Sequence, residues 1–322
     1  MRRREFILIA GAGALAWPLV ALAQQSVLPV LGILSVSRQR SEYNWQRFGR
    51  DLRALGWEEN RNIRVLQRWP AKPDQSMTEL ARDLVAQGAT VLYAGAGNPA
   101  IRAAQEATSS VPIVGLTDDM LASGLIASLA RPGGNTTGVS ILASELNVKR
   151  LELLHELVPQ ARRFAILGDP TTVSTHPQLE SAGREFGLEL FFHSAKNHDE
   201  IQVEISKMAG TGMEAVNILA SPLLNEARFL IIELLAKIAI PAIYQWPETA
   251  QEGGLMGYGP RITLCYRHAA VLVDKILHGA RPADLPVEQP NVFTLAINVK
   301  TAKSLGLTIP PGLLLRADEV IE

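Results

Sequence analysis

Two successive runs of short apolar strands alternating with amphipathic segments constrain this 322-residue chain more than any other feature. In the first run, Val30 to Ser35, Ile63 to Trp69, Thr90 to Ala94, Ile113 to Leu116 and Thr137 to Ile141 are apolar enough to be buried strands. Between them lie segments of helical period. Glu42 to Trp57 carries Trp45, Phe48, Leu52 and Leu55 on one stripe. Asp74 is placed to cap a helix over Gln75 to Gln87. Asn98 is placed to cap another, with Pro99 at its first position. Met120 to Ala130 has Leu121, Leu125 and Leu129 at i, i+4 and i+8, before Pro132-Gly133-Gly134 stops it. Strands alternating with helices in this way imply right-handed βαβ units and a parallel sheet.

The pattern restarts after a helix from Ser144 to about Val158. Strands are expected at Phe164 to Leu167, Leu188 to Phe192, Ala215 to Leu219 and Pro241 to Tyr244, with helices between them. Gly253 to Tyr258 and a helix over Tyr266 to His278 are expected to return to the first lobe. Pro286 to Ile297 and a short helix at Thr301 to Leu305 finish the second. The fold class is therefore α/β, with two doubly wound parallel-sheet lobes joined by a three-segment hinge. Lobe one is assigned 28–143 plus 250–280, and lobe two 144–249 plus 281–322. At 47% apolar residues, two cores can be filled.

Residues 1–23 form a different kind of segment. A basic start, an apolar run from Leu8 to Val20 and Ala21-Leu22-Ala23 make a secretory signal peptide. Arg3-Arg4-Glu5-Phe6-Ile7 fits the twin-arginine pattern, so the expected location is the periplasm. Gly11-Ala12-Gly13 inside this run mimics a dinucleotide fingerprint but is not followed by a βαβ unit. With Arg2, Arg3, Arg4 and Glu5 set aside, 28 basic and 31 acidic residues leave −3. That balance offers no footprint for nucleic acid. Cys265 is the single cysteine, so an exported chain of this kind has no internal disulfide and is held by packing. The apolar stretch Phe229 to Ile240 is interrupted by Glu233 and Lys237 and reads as a core helix.

Catalytic and metal chemistry find little support. The six histidines form no H-x-x-x-H pair beside an acid, and no C-x-x-C exists, so no metal is expected. Gly138-Val139-Ser140-Ile141-Leu142 lacks the closing glycine of a nucleophile elbow. Gly95-Ala96-Gly97-Asn98-Pro99-Ala100 follows a strand, opens a helix, and precedes Asp118 by about 20 residues. It keeps an exported NAD(P)-dependent oxidoreductase as the alternative, although Pro99 removes an amide that would face a pyrophosphate.

The same residues also suit a binding site without catalysis or cofactor. Ligands sit beyond the carboxyl ends of parallel strands. Those ends offer Ser35, Ser37, Gly97, Asn98, Thr117, Asp118, Asp119, Asp169, Ser221 and Tyr244, with Tyr258 added from the Gly253 segment. Helix caps favour the same residue types, so each of these also has an ordinary structural use. Helix starts behind Asn98 and Asp119 favour a carboxylate. Asp169 is expected to answer an ammonium, and its loss to leave folding intact.

Long matching stretches sharpen this picture. Gly124 to Val139 (GLIASLARPGGNTTGV), Asn147 to Leu154 (NVKRLELL), Gly253 to Pro260 (GGLMGYGP), Ile276 to Glu288 (ILHGARPADLPVE) and Ala296 to Leu314 span the mature chain. In these the chain resembles the substrate-binding proteins of ABC transporters, in the type I periplasmic binding superfamily, related to members that bind aromatic amino acids. The resemblance implies a monomeric receptor that closes on a small ligand and delivers it to a membrane permease driven by an ATPase. Asp119-Met120, Gly97-Asn98-Pro99 and Asp169-Pro170 depart from the usual pattern at cleft positions, so ligand identity is not carried over.

Overall fold

A computed structural model describes residues 28–72, 75–173 and 177–322, without the side chains of 39–41, 43, 44 and 143–145. The signal segment, Asp74 and His176 lie outside the described residues. In chain order the elements are β1 (Val30–Leu34), α1 (Arg38–Ala54), β2 (Arg64–Arg68), α2 (Met77–Ala86), β3 (Val91–Ala94), α3 (Asn98–Ala107), β4 (Ile113–Thr117) and β5 (Thr136–Ser140). Then come α4 (Ala143–Leu157), β6 (Arg163–Gly168), α5 (Pro170–Val173), α6 (Pro177–Phe186), β7 (Glu189–Ser194), α7 (His198–Gly210), β8 (Ala215–Ile218), α8 (Pro222–Glu226), α9 (Arg228–Lys237) and β9 (Ala242–Tyr244). The chain ends with α10 (Glu248–Gln251), β10 (Met256–Gly259), α11 (Ile262–Leu277), β11 (Thr294–Asn298), α12 (Val299–Ser304), α13 (Pro311–Arg316) and β12 (Glu319–Ile321).

Two sheets form two lobes, as the doubled pattern requires. The first has order β2-β1-β3-β4-β5 with every pairing parallel. Four of its strands are buried throughout, which explains their continuous apolar runs. The second has order β12-β11-β10-β9-β8-β6-β7. It is parallel except where β10 and β11 pair antiparallel. Gly138 in β5 shows why small residues recur here: a Cβ on it would lie 2.1 Å from the Gly115 carbonyl oxygen of β4.

Two boundaries move from their expected places. β10 pairs with β9, so 253–259 belongs to lobe two and not to lobe one. A short apolar strand carries no mark of which sheet edge it joins. α11 alone returns, packing Ile262, Cys265, Tyr266 and Ala269 into the lobe-one core. The chain then stays on lobe one past 280: the Glu288 amide donates to the Gly138 carbonyl at 2.9 Å, and Glu288 accepts from Ser140 N at 2.9 Å. It crosses to β11 only after that bridge. Three crossings join the lobes, near 141–143, 259–262 and 288–294.

Met120 to Ala130 is not a helix. Asp119 Oδ1 accepts from the amides of Leu121 and Ala122, both at 2.9 Å, and closes a single turn. Gly124 then takes a positive φ of 65°. Met120, Leu125 and Ile126 are buried while Leu121 is exposed, so the i, i+4 leucines do not share a face.

Candidate ligand-binding site

The carboxyl ends of both sheets open on one cleft of about 720 Å³ between the lobes. Lobe one brings to it the ends of β1, β3, β4 and β5, and lobe two those of β6, β8 and β9. Among the expected residues, Ser37, Gly97, Asn98, Thr117, Asp118, Asp169 and Ser221 line it.

Four others do not. Ser35 is buried beside β2, where its amide donates to the Arg68 carbonyl at 2.9 Å. Asp119 is occupied in its turn. Tyr244 follows the strand alternation away from Ile243 into the core under α9, with Leu224 and Ile231. Burial there pushes its phenol above its ordinary range. The Tyr258 ring packs on the other lobe-two core and beside Phe293. That residue serves the interlobe region through its carbonyl.

On lobe one the polar side chains hold one another. Gly97, with φ 78°, and not Asn98, stands before the first turn of α3. A Cβ on it would lie 3.4 Å from Pro222 of the opposite lobe, so the glycine also permits the lobes' approach. Asn98 thereby moves inside the helix, and its side chain bonds across rather than capping. Thr117 Oγ1 donates to Asn98 Oδ1 at 2.6 Å, and Asn98 Nδ2 donates to Ser123 Oγ at 2.8 Å. Ser140 Oγ donates to the Asp118 carbonyl and accepts from Met120 N, fixing the end of β4.

Asp118 faces Arg150, which is 1% exposed and lies on α4 just past the first crossing. Burial lowers the guanidinium pKa to about 10, against the opposing pull of Asp118. Its Nε donates to the Tyr258 carbonyl at 2.8 Å, beside the second crossing, and Nη1 donates to Asn147 Oδ1 at 2.5 Å. One cation therefore bonds beside two crossings and lies within electrostatic reach of a cleft carboxylate.

On lobe two, Asp169 is a cap. Its Oδ1 accepts from Thr171 N, Thr171 Oγ1 and Thr172 N, and its Oδ2 accepts from Ser221 Oγ at 2.6 Å. Ser221 N in turn donates to Gln245 Oε1 at 3.0 Å. The expectation that Asp169 could be lost without cost to folding does not fit these four bonds. Gln245, expected with Tyr244 at the same strand end, lines the cleft, and so do Asn147, Asn225, Glu226 and Trp246, which were not expected. Gln245 follows Tyr244 on the opposite strand face, and Asn225 stands four residues after Ser221, one helical turn on. Those offsets were the available signals. Asn225 (4% exposed) and Trp246 (6% exposed) each have an N–H group with no acceptor among the described residues. Trp246 also packs with Ile141 and Ile262 of the lobe-one core, so it spans the interlobe region.

A side-chain bond crosses the cleft directly: Ser37 Oγ of lobe one donates to Glu226 Oε1 of lobe two at 2.8 Å. No group of three or more His, Cys, Asp or Glu placed to hold a metal occurs among the described residues. Cys265 is buried, and burial pushes its thiol up to about 12, so it is not a nucleophile.

Comparison with known proteins agrees with this geometry. A tyrosine-binding protein of Clostridioides difficile (strain R20291) is 24% identical over 266 residues, which is 81% of this chain and 75% of that protein. The crystal structure of an ABC domain in complex with L-Trp from Streptococcus pneumonia shares the fold at TM-score 0.79 and 22% identity, covering 91% of this chain and 100% of that one. The ligand-free, open structure of a substrate binding protein with adhesive properties from Clostridium difficile shares it at TM-score 0.59 and 20% identity, covering 91% and 99%. The family model described as ABC transporter substrate binding protein matches residues 38–321. A cleft between two α/β lobes is what that family is built around, and this chain belongs to it.

Proposed function

We propose that the chain is the extracytoplasmic receptor of an ABC importer. It closes on a small amino-acid-like ligand and hands it to a membrane permease driven by an ATPase. It acts as a monomer and catalyses no reaction. The observation that carries this reading is the cleft itself. Polar groups converge from the strand ends of two lobes that only three crossings join, so the lobes are able to close on a ligand. Lobe one presents the start of α3 to a carboxylate. Carboxylates of lobe two stand opposite, and Trp246 is the only Phe, Trp or Tyr among the described lining residues. The signal segment and its Arg3-Arg4 pair support export to the periplasm by the twin-arginine route.

Titration with L-tyrosine and L-tryptophan, followed by small-angle scattering, tests the reading. Binding should be accompanied by a smaller radius of gyration than in the ligand-free protein. Tight binding without compaction would rule out closure as the response to ligand.

A further inference from the structure

The three carboxylates that line the cleft are not equivalent. Asp118 lies within electrostatic reach of the buried Arg150. Asp169 is held by four neutral donors. Glu226 has one described partner, the Ser37 hydroxyl of the other lobe. Lys196 is the single lysine or arginine among the described lining residues, and it is exposed. The lobe-two wall thus carries more negative charge than its own side chains neutralise. Immediately before Glu226, Asn225 lines the same cleft, nine-tenths buried, with an amide nitrogen that has no acceptor. Trp246 adds a second such donor.

From this we infer that Glu226 is the specificity-determining residue of the cleft. It selects ligands that carry an ammonium group and rejects those that carry only a carboxylate. A cation beside Glu226 joins a carboxylate already bonded to lobe one, so it stabilises the closed arrangement as well as the bound ligand. An anion in the same place meets uncompensated like charge in a partly dry cleft. The unpartnered N–H groups of Asn225 and Trp246 call for an acceptor on the same ligand. The ligand class is therefore a zwitterion, or an amine that also bears an uncharged acceptor such as a hydroxyl or amide. Dicarboxylates, sugar acids and phosphate esters without an amine fall outside it. The inference rests on the cleft being the ligand site and adds the residue that reads charge.

Calorimetric titration with probes that share one ring tests it: L-tyrosine, tyramine and 3-(4-hydroxyphenyl)propanoate. The same series is run on the tryptophan and leucine skeletons, in wild type and in Glu226→Gln. This substitution is isosteric and partly exposed, so the variant should fold, and its thermal transition checks that it does. Wild type should bind the amino acid of each series, and tyramine with its phenol oxygen, and not the carboxylate-only members. Glu226→Gln should weaken the former by roughly tenfold to a hundredfold, as expected for loss of a charged hydrogen bond. A carboxylate-only probe that binds as tightly as its amino acid would overturn the inference alone. So would unchanged amino-acid affinity in Glu226→Gln. Silence of all nine probes would count against the amino-acid reading and this inference together.

Discussion

The two walls of the cleft are made from equivalent strand ends, yet they satisfy their polar groups differently. On the lobe-one wall, Asn98, Thr117, Ser123 and Ser140 bond one another or the local backbone, and Asp118 faces Arg150. On the lobe-two wall, Asp169, Ser221 and Gln245 form a comparable chain. Beside it, Asn225 and Trp246 keep donors without acceptors, and Glu226 reaches across to Ser37. A buried polar group without a partner costs free energy, so lobe two retains unmet hydrogen-bonding capacity that a ligand can fill. One wall is completed by folding, and the other keeps donors that the proposed ligand would meet.

The largest test of this contrast is the cation that finishes lobe one. Arg150→Met removes the partner of Asp118 and leaves Asn147 and the Tyr258 carbonyl without a donor. Leaving a buried polar group without its hydrogen-bond partner costs about 1–3 kcal/mol, and two acceptors lose theirs here. Urea denaturation should register a loss of that size. A loss under about 1 kcal/mol would mean that the hinge does not depend on this charge.

A second, smaller test sets two asparagines against each other. Asn98→Ala breaks bonds to Thr117 and Ser123 and should lower stability by about 1 kcal/mol. Asn225→Ala removes an amide nitrogen with no partner, so stability should hold while affinity for L-tyrosine or L-tryptophan falls. The opposite outcome, stability lost at Asn225 and retained at Asn98, would reverse the assignment of the two walls.

The smallest effect concerns a lobe-two carboxylate outside the cleft. Glu214 accepts from the amides of Arg162 and Arg163 at 2.6 and 2.9 Å, and these bonds hold its carboxyl below the usual range. Its folded pKa is depressed, so the contribution is complete above the unfolded pKa of about 4.3 and is lost as pH falls through the folded value. Glu214→Gln should therefore lower thermal stability slightly at pH 7 and flatten its fall below about pH 4.3, so that variant and wild type converge in acid. The effect is modest because Glu214 is exposed. An unchanged acid profile would remove these bonds from the account of lobe two.

The apolar runs and their spacing were enough to state two parallel-sheet lobes, since a strand buried on both faces needs continuous apolar residues. The carboxyl-end rule likewise located Ser37, Gly97, Asn98, Thr117, Asp118, Asp169 and Ser221 in the cleft. It failed at Tyr244 because a strand turns alternate side chains to opposite faces, and the next residue, Gln245, is the one that reaches the cleft. It failed at Met120 to Ala130 because leucine spacing does not register the competing Asp119 turn or the positive φ of Gly124.

Which lobe a segment joins was decided only by tertiary structure. The sequence of β10 suits a place in either sheet, and pairing with β9 and β11 fixed it inside the second. Sequence determines burial and period, because these are properties of neighbouring residues along one chain. The meeting of Ser37 with Glu226, of Asp118 with Arg150, and the isolation of Asn225 join residues far apart in the chain. They exist only once two lobes have packed around a common hinge.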